Sequence, residues 1–322
     1  MIPFREFLEG IRPAVNRRIE EVANGTGEVD PGVLPLLIKG KRMRAGLLLR
    51  IHADLTWATA PNHQALDLAC AVELAHAASL ILDDMLDGDI VRRGVPSLHL
   101  TRGEGRAVLD AVGILALPYA LVAPYGAGYV AMLASVQQKM ARGVAREIFG
   151  WPHLPAIPAT DLYDAIISQK TGCLFSLAAA WGAMAAGAEG PVVAEFAKYG
   201  LSVGRAMQIA DDIADLHVLA AGARDGRPGS ETLLLQCVPA GNDPRQALGE
   251  VLDREIHGAA AVITGANRQR ETFGQMVREI IELTIAGGMP DDGTPPLVAC
   301  PAPSRSDKYC SVSHFSEKPC RL

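Results

Sequence analysis

The chain is poor in everything that would build a sheet. Aromatic residues make up only 5% of its 322 residues, and β-branched or aromatic side chains never alternate with polar ones over a strand's length. Half-buried strands therefore find no support. None of the six cysteines (70, 173, 237, 300, 310 and 320) forms a C-x-x-C pair, which removes the common zinc and redox spacings. A G-x-S-x-G elbow is absent, so no activated serine announces itself. No basic run occurs and the net charge is −6, which argues against a nucleic-acid surface. The segment Met1–Phe7 lacks the apolar core of a signal peptide, so a cytosolic setting is expected.

Charge itself is missing from residues 111–136 and again from 171–188. The first stretch is long enough to raise a membrane span. Pro118, Pro124 and three glycines interrupt it, however. The expectation is two helices buried in a large all-α core and no transmembrane segment.

What remains is helical. With 49% apolar and 20% charged residues the chain has ample core for a large bundle. Alanine-rich periods predict helices near 3–23, 31–57, 63–88, 104–121, 127–149, 160–186, 190–221, 243–263 and 268–287. Cys70 and Cys173 fall in apolar helical sequence and read as reduced core residues. Residues 1–289 are expected to form one domain. The tail 290–322 holds six prolines and three cysteines without a period and reads as disordered.

Chemistry is concentrated in two acidic clusters. Asp83, Asp84, Asp87 and Asp89 follow an uncharged helical run, with Gly88 and Gly94 marking the helix end. On a helix Asp83 and Asp87 share a face, with Asp84 about 100° round. Acids at a helix C-terminus oppose the macrodipole by roughly 0.3–1 kcal/mol each, so a cation is wanted there. Oxygen donors without sulfur suit Mg²⁺ bridging to a phosphate. One such cluster reads equally well as a solvated acidic turn. The second decides: Asp211, Asp212 and Asp215 repeat the D-D-x-x-D spacing after another apolar run. Two clusters facing each other across a bundle could hold several Mg²⁺ ions against one diphosphate.

The two aspartate motifs, together with Gly40-Lys41-Arg42-Met43-Arg44, Arg92-Arg93-Gly94 and Lys170-Thr171-Gly172, resemble the trans-isoprenyl diphosphate synthases, and most of all the bacterial geranylgeranyl diphosphate synthases. The likeness runs from Gly40 to about Asp215, more loosely over 1–290. It implies an all-α, single-domain bundle around a central active-site cavity. It also implies condensation of isopentenyl diphosphate with an allylic diphosphate (dimethylallyl, geranyl or farnesyl), Mg²⁺ as cofactor at about three ions per site, and a homodimer. Asp83, Asp84, Asp87, Asp211, Asp212 and Asp215 then match the metal-binding positions. Asp83, Asp84, Lys170 and Asp211 match the catalytic ones. Lys41, Arg44, His76 and Arg93 correspond to residues that hold isopentenyl diphosphate, and Arg92, Lys170 and Thr171 to contacts with the allylic diphosphate. Gln208 occupies the matching place before the second aspartate motif. On their own, the basic triplet reads as a solvated face and His76 as a core histidine.

Departures accompany the likeness. No lysine occurs between His217 and Gln246, where the family usually carries several; Arg224, Arg227 and Arg245 are the cations available. Met207 stands where a Phe often precedes Gln208, and Ala45 where a Pro often ends the basic motif. Ala78 and Ser79 occupy the level at which an aromatic in the family stops growth at farnesyl. Both are small, so geranylgeranyl diphosphate is the expected product unless Phe175, Met140 or Leu121 closes the tunnel. The alternatives are a farnesyl or longer-chain synthase, a weakly active partner subunit, and a class I terpene cyclase.

Overall fold

In the computed structural model, residues 2–27, 29–92, 94–150, 158–220, 230–238, 244–263 and 270–287 are described. The described residues fall within one compact unit, Met1–Gly288. The Trp151–Pro155 connection, Arg93, Arg224, Arg227 and the tail 290–322 lie outside the described residues.

Among the described residues, thirteen α-helices and one minimal hairpin run in the order α1 (Phe4–Thr26), α2 (Leu34–Ile38), α3 (Met43–Thr56), α4 (His63–Asp87), β1 (Val91–Arg92), β2 (Val95–Pro96), α5 (Leu98–Arg102), α6 (Glu104–Val122), α7 (Ala127–Phe149), α8 (Ala159–Ile167), α9 (Cys173–Ala185), α10 (Gly190–Ala220), α11 (Ser230–Gln236), α12 (Pro244–Val262) and α13 (Arg270–Gly287). The fold is all-α. The hairpin pairs Val91 with Pro96 and Arg92 with Val95, antiparallel.

Helix α4 is the axis of the molecule. Asn62 caps it, its side chain accepting from Ala65 N at 2.7 Å, and Gly88 ends it in the left-handed region. Residues from Ala65 to Ala78 are buried on nearly every side apart from Leu66 and His76, because α1, α3, α6 and α9 all pack on it. A helix apolar all round is stable only when surrounded in this way. A second core joins α9 and α10 to α12 and α13 through Phe175, Tyr199 and Phe273.

Three expectations need correction. The helix read over 31–57 is broken at Lys39–Arg42: α3 begins only at Met43, after Arg42 takes a left-handed conformation (φ 61°). The helix read over 160–186 is one continuous path but carries a π-helical segment, Ser168–Gly172, between α8 and α9. The uncharged stretch 111–136 does split into two helices, α6 and α7, at a 3₁₀ turn (Ala123–Tyr125). Burial of α6, however, is one-sided. Its most apolar window is only 39% buried, and Val108, Leu109 and Val112 face outward at 38, 69 and 56% exposure. Helices α4 and α6 are long and apolar enough to cross a membrane by length and composition. For α4, packing within the protein accounts for that character. Helices α5 and α11 carried too little periodicity to be read from the sequence.

Candidate active site

One cavity of about 870 Å³ gathers most of the residues singled out above. Its wall includes Lys41, Arg44, His76, Ser79, Asp83, Asp87, Arg92, Lys170, Thr171, Gln208, Asp211, Asp212 and Asp215. These residues come from five elements and the bend before α3, and the first and last lie 174 positions apart (215 − 41). Asp84, Ala78, Phe175 and Leu121 are not on the wall, and Arg93 is outside the described residues.

The first aspartate cluster divides by helical phase. Asp83 and Asp87, four residues apart at the end of α4, both face the cavity. Asp84 points away and is buried at 2% exposure. Arg92, returning from β1, donates Nε–H to Asp84 Oδ1 at 2.6 Å and reaches Asp89 Oδ2 at 2.7 Å. Asp84 thus anchors an arginine that itself lines the cavity. Burial pushes the Asp83 carboxyl up to about 6, partly offset by Lys170 and reinforced by Asp87 and Glu147. A half-buried carboxylate raised in this way is a site short of positive charge.

The second cluster divides similarly. All three line the cavity, but Asp211 is exposed and Asp215 half-buried, whereas Asp212 is buried at 2% exposure. Both Asp212 oxygens accept hydrogen bonds: Oδ2 from Tyr163 at 2.7 Å and Oδ1 from Gln208 Nε2 at 2.8 Å. Gln208 Oε1 in turn accepts from Thr171 at 2.6 Å. The chain Thr171–Gln208–Asp212–Tyr163 locks α10 to the π-helical segment and to α8.

That π-helical segment carries Lys170 and Thr171, and such distortions often reorient side chains at functional sites. Glycine is required by close backbone approach on both its flanks. A Cβ on Gly204 of α10 would sit 2.7 Å from Gly172 Cα, and one on Gly143 of α7 would sit 2.6 Å from Lys170 N. Lys170 Nζ lies 2.5 Å from Glu147 Oε2. Burial works against the Lys170 charge, but attraction to Glu147 and Asp83 outweighs it and the net shift is upward.

The basic segment forms another part of the wall. The bend at Gly40–Arg42, not a shared helical turn, brings Lys41 and Arg44 together. Arg42 also lines the cavity but is 2% exposed and held within the protein, donating to Asn16 Oδ1 at 2.8 Å, Leu37 O at 2.6 Å and Glu73 Oε2 at 3.3 Å. Lys41 Nζ donates to Leu283 O of α13 at 3.0 Å, and the Arg44 guanidinium stacks 4.6 Å over the Phe175 ring. His76 lines the cavity, and its carbonyl accepts from Ser79 Oγ at 2.9 Å. Sequence reasoning missed Arg12, Lys39, Glu147 and Thr284, which also line the wall. None sits in a short motif; only packing brings them in.

The acidic donors are all carboxylate oxygens, which fits a hard divalent cation. Among the described residues no three His, Cys, Asp or Glu side chains converge enough to hold a metal ion alone. Asp83 and Asp87 from α4 and Asp211 and Asp215 from α10, all lining the cavity, would need oxygens from a bound molecule to complete a shell.

Comparison with known proteins gives this cavity a context. A family model described as polyprenyl synthetase matches residues 33–230. The chain is 33% identical over 264 residues to a geranylgeranyl diphosphate synthase of Pseudescherichia vulneris, covering 78% of this chain and 84% of that protein. It is 32% identical over 200 residues to a geranylfarnesyl diphosphate synthase of Methanosarcina mazei, covering 60% and 63% of the two chains. Its fold is similar to the crystal structure of a geranyltranstransferase from Thermotoga maritima (TM-score 0.67, 24% identity), over 86% of this chain and 97% of that one.

Proposed function

Because the chain belongs to the polyprenyl synthetase family of trans-prenyltransferases, we propose that it condenses isopentenyl diphosphate with an allylic diphosphate and releases geranylgeranyl diphosphate as its main product. The reading is supported above all by one cavity whose lining holds both aspartate pairs together with Lys41, Arg44, Arg92 and Lys170.

Magnesium ions, when held by Asp83, Asp87, Asp211 and Asp215, supply charge neutralisation to the departing diphosphate. The protein's own groups do the rest. Lys170 and Arg92, the cations acting most on Asp83, stabilise negative charge growing on the leaving group as the allylic C–O bond ionises. Lys41, Arg44 and His76 hold the second diphosphate so that its alkene faces the allylic carbon. A C–C bond forms, the cation moves to the isopentenyl carbon, and a proton leaves to the released diphosphate. Leu80, Met140 and Met207 on the wall exclude water that would quench the cation.

Product length rests on Ser79, a small cavity residue four positions before Asp83. About six ångströms of helix axis separate them, at about 1.5 Å per residue, and no aromatic residue lines the cavity among the described residues. The apolar outer face of α6 supports a homodimer, since patches of this kind usually bury against a partner; light scattering on the purified protein measures it. Incubating the protein with dimethylallyl, geranyl or farnesyl diphosphate, isopentenyl diphosphate and Mg²⁺, followed by mass spectrometry, tests the function. The expected product has twenty carbons. No condensation product would sink the activity, and farnesyl or geranylfarnesyl diphosphate alone would sink the product length.

A further inference from the structure

We propose that Arg12, on the first helix, is a further diphosphate-binding residue of the isopentenyl subsite, which makes α1 part of the active site and not only of the scaffold. The inference rests on the prenyl-transfer reading for the identity of the anion, and on geometry for the residue.

Arg12 lines the cavity beside the segment Lys39–Arg44. Its placement follows from Asn16, one turn further along the same face of α1. Asn16 Oδ1 accepts from Arg42 Nε at 2.8 Å, which pins that face of the helix against the basic bend. Arg42 also lines the cavity, but each of its three nitrogens already donates within the protein, to Asn16, Glu73 and Leu37. Arg12 differs from it in one respect: its Nε is buried and has no hydrogen-bond partner among the described residues. Structural arginines elsewhere in this fold are paired, as Arg18 is with Asp67 and Arg50 with Asp54. A buried, unpaired guanidinium donor costs free energy that an incoming anion recovers, and its planar fork matches phosphate oxygens. No carboxylate forms an ion pair with Arg12 among the described residues. Lys41 and Arg44 line the same cavity, so α1 and the basic segment each contribute cations to the wall where the isopentenyl diphosphate is proposed to lie.

The test uses the full chain with Arg12→Met, which keeps much of the aliphatic stem, and Arg12→Lys, which keeps the charge but loses the fork. Inorganic pyrophosphate is titrated calorimetrically in EDTA, so that cationic side chains alone bind it. Separately, KM is measured for each substrate with the other saturating. Arg12→Met is expected to weaken pyrophosphate binding and raise the isopentenyl diphosphate KM, each by roughly tenfold or more. The allylic KM should stay within about twofold, with Arg12→Lys intermediate. Unchanged pyrophosphate affinity in Arg12→Met, or both KM values rising together, overturns the inference. If the wild type forms no product but Arg12→Met still weakens pyrophosphate binding, the anion site stands and the prenyl-transfer reading falls.

Discussion

Glu147 Oε2 sits 2.5 Å from Lys170 Nζ, inside the cavity and within electrostatic reach of Asp83. In the substrate-free protein this glutamate competes with any anion for the lysine. Lys170→Ala should therefore raise the allylic KM by roughly tenfold or more, the scale of a lost charge-assisted hydrogen bond. Glu147→Gln should act in the opposite direction. Its amide still accepts from Lys170 but no longer neutralises it, which should lower the allylic KM by about fivefold, worth roughly 1 kcal/mol. Steady-state kinetics with both substrates decides this, and a higher allylic KM in Glu147→Gln would refute the competition.

Asp83 sets function against stability. Its folded carboxyl is raised to about 6 from 3.8, chiefly by burial. For an acid raised in this sense, the folded state carries no penalty below about pH 4. The penalty grows between pH 4 and 6 and is complete above, at up to about 3 kcal/mol. Asp83→Asn should raise the melting temperature of the metal-free protein at pH 7.5. The gain should vanish by pH 4, and condensation should drop by orders of magnitude. A variant less stable than wild type at pH 7.5 would contradict the sign.

The Asp84–Arg92 pair predicts a double-mutant cycle. Arg92→Met leaves Asp84 buried without its cation and should cost about 3 kcal/mol in urea unfolding, the low end of the range for buried pairs because Arg92 is partly exposed. Adding Asp84→Asn should recover most of that loss. Additive single losses would mean that the pair is not coupled.

Chain length gives the fourth prediction. Ala78 is fully buried in the core around α4 and absent from the wall, so a tyrosine there would overpack α4, typically by 1–3 kcal/mol or more. The informative substitution is Ser79→Tyr. It should shorten the main product from geranylgeranyl to farnesyl diphosphate, read by mass spectrometry. An unchanged product distribution would place the floor elsewhere on the wall, with Met140 the next residue to enlarge.

The sequence by itself determined the helical class, the end of α4 at Gly88, and the pairing of Asp83 with Asp87. Those features depend on period and capping, which act between residues a few positions apart. Both aspartate motifs and the basic segments were legible for the same reason. Tertiary structure alone decided what each member does. It turned Asp84 toward Arg92 and Asp212 toward Tyr163, because residues one position apart on a helix point about 100° apart and only the neighbouring elements fix which direction is buried. It tied the Arg42 guanidinium to Asn16, Glu73 and Leu37, although Lys41, Arg42 and Arg44 all line the cavity. It also brought in Arg12 and Glu147 from distant helices, and left one face of α6 outside. Local pattern cannot carry these outcomes, since they depend on which chemically similar side chain meets a partner across the fold.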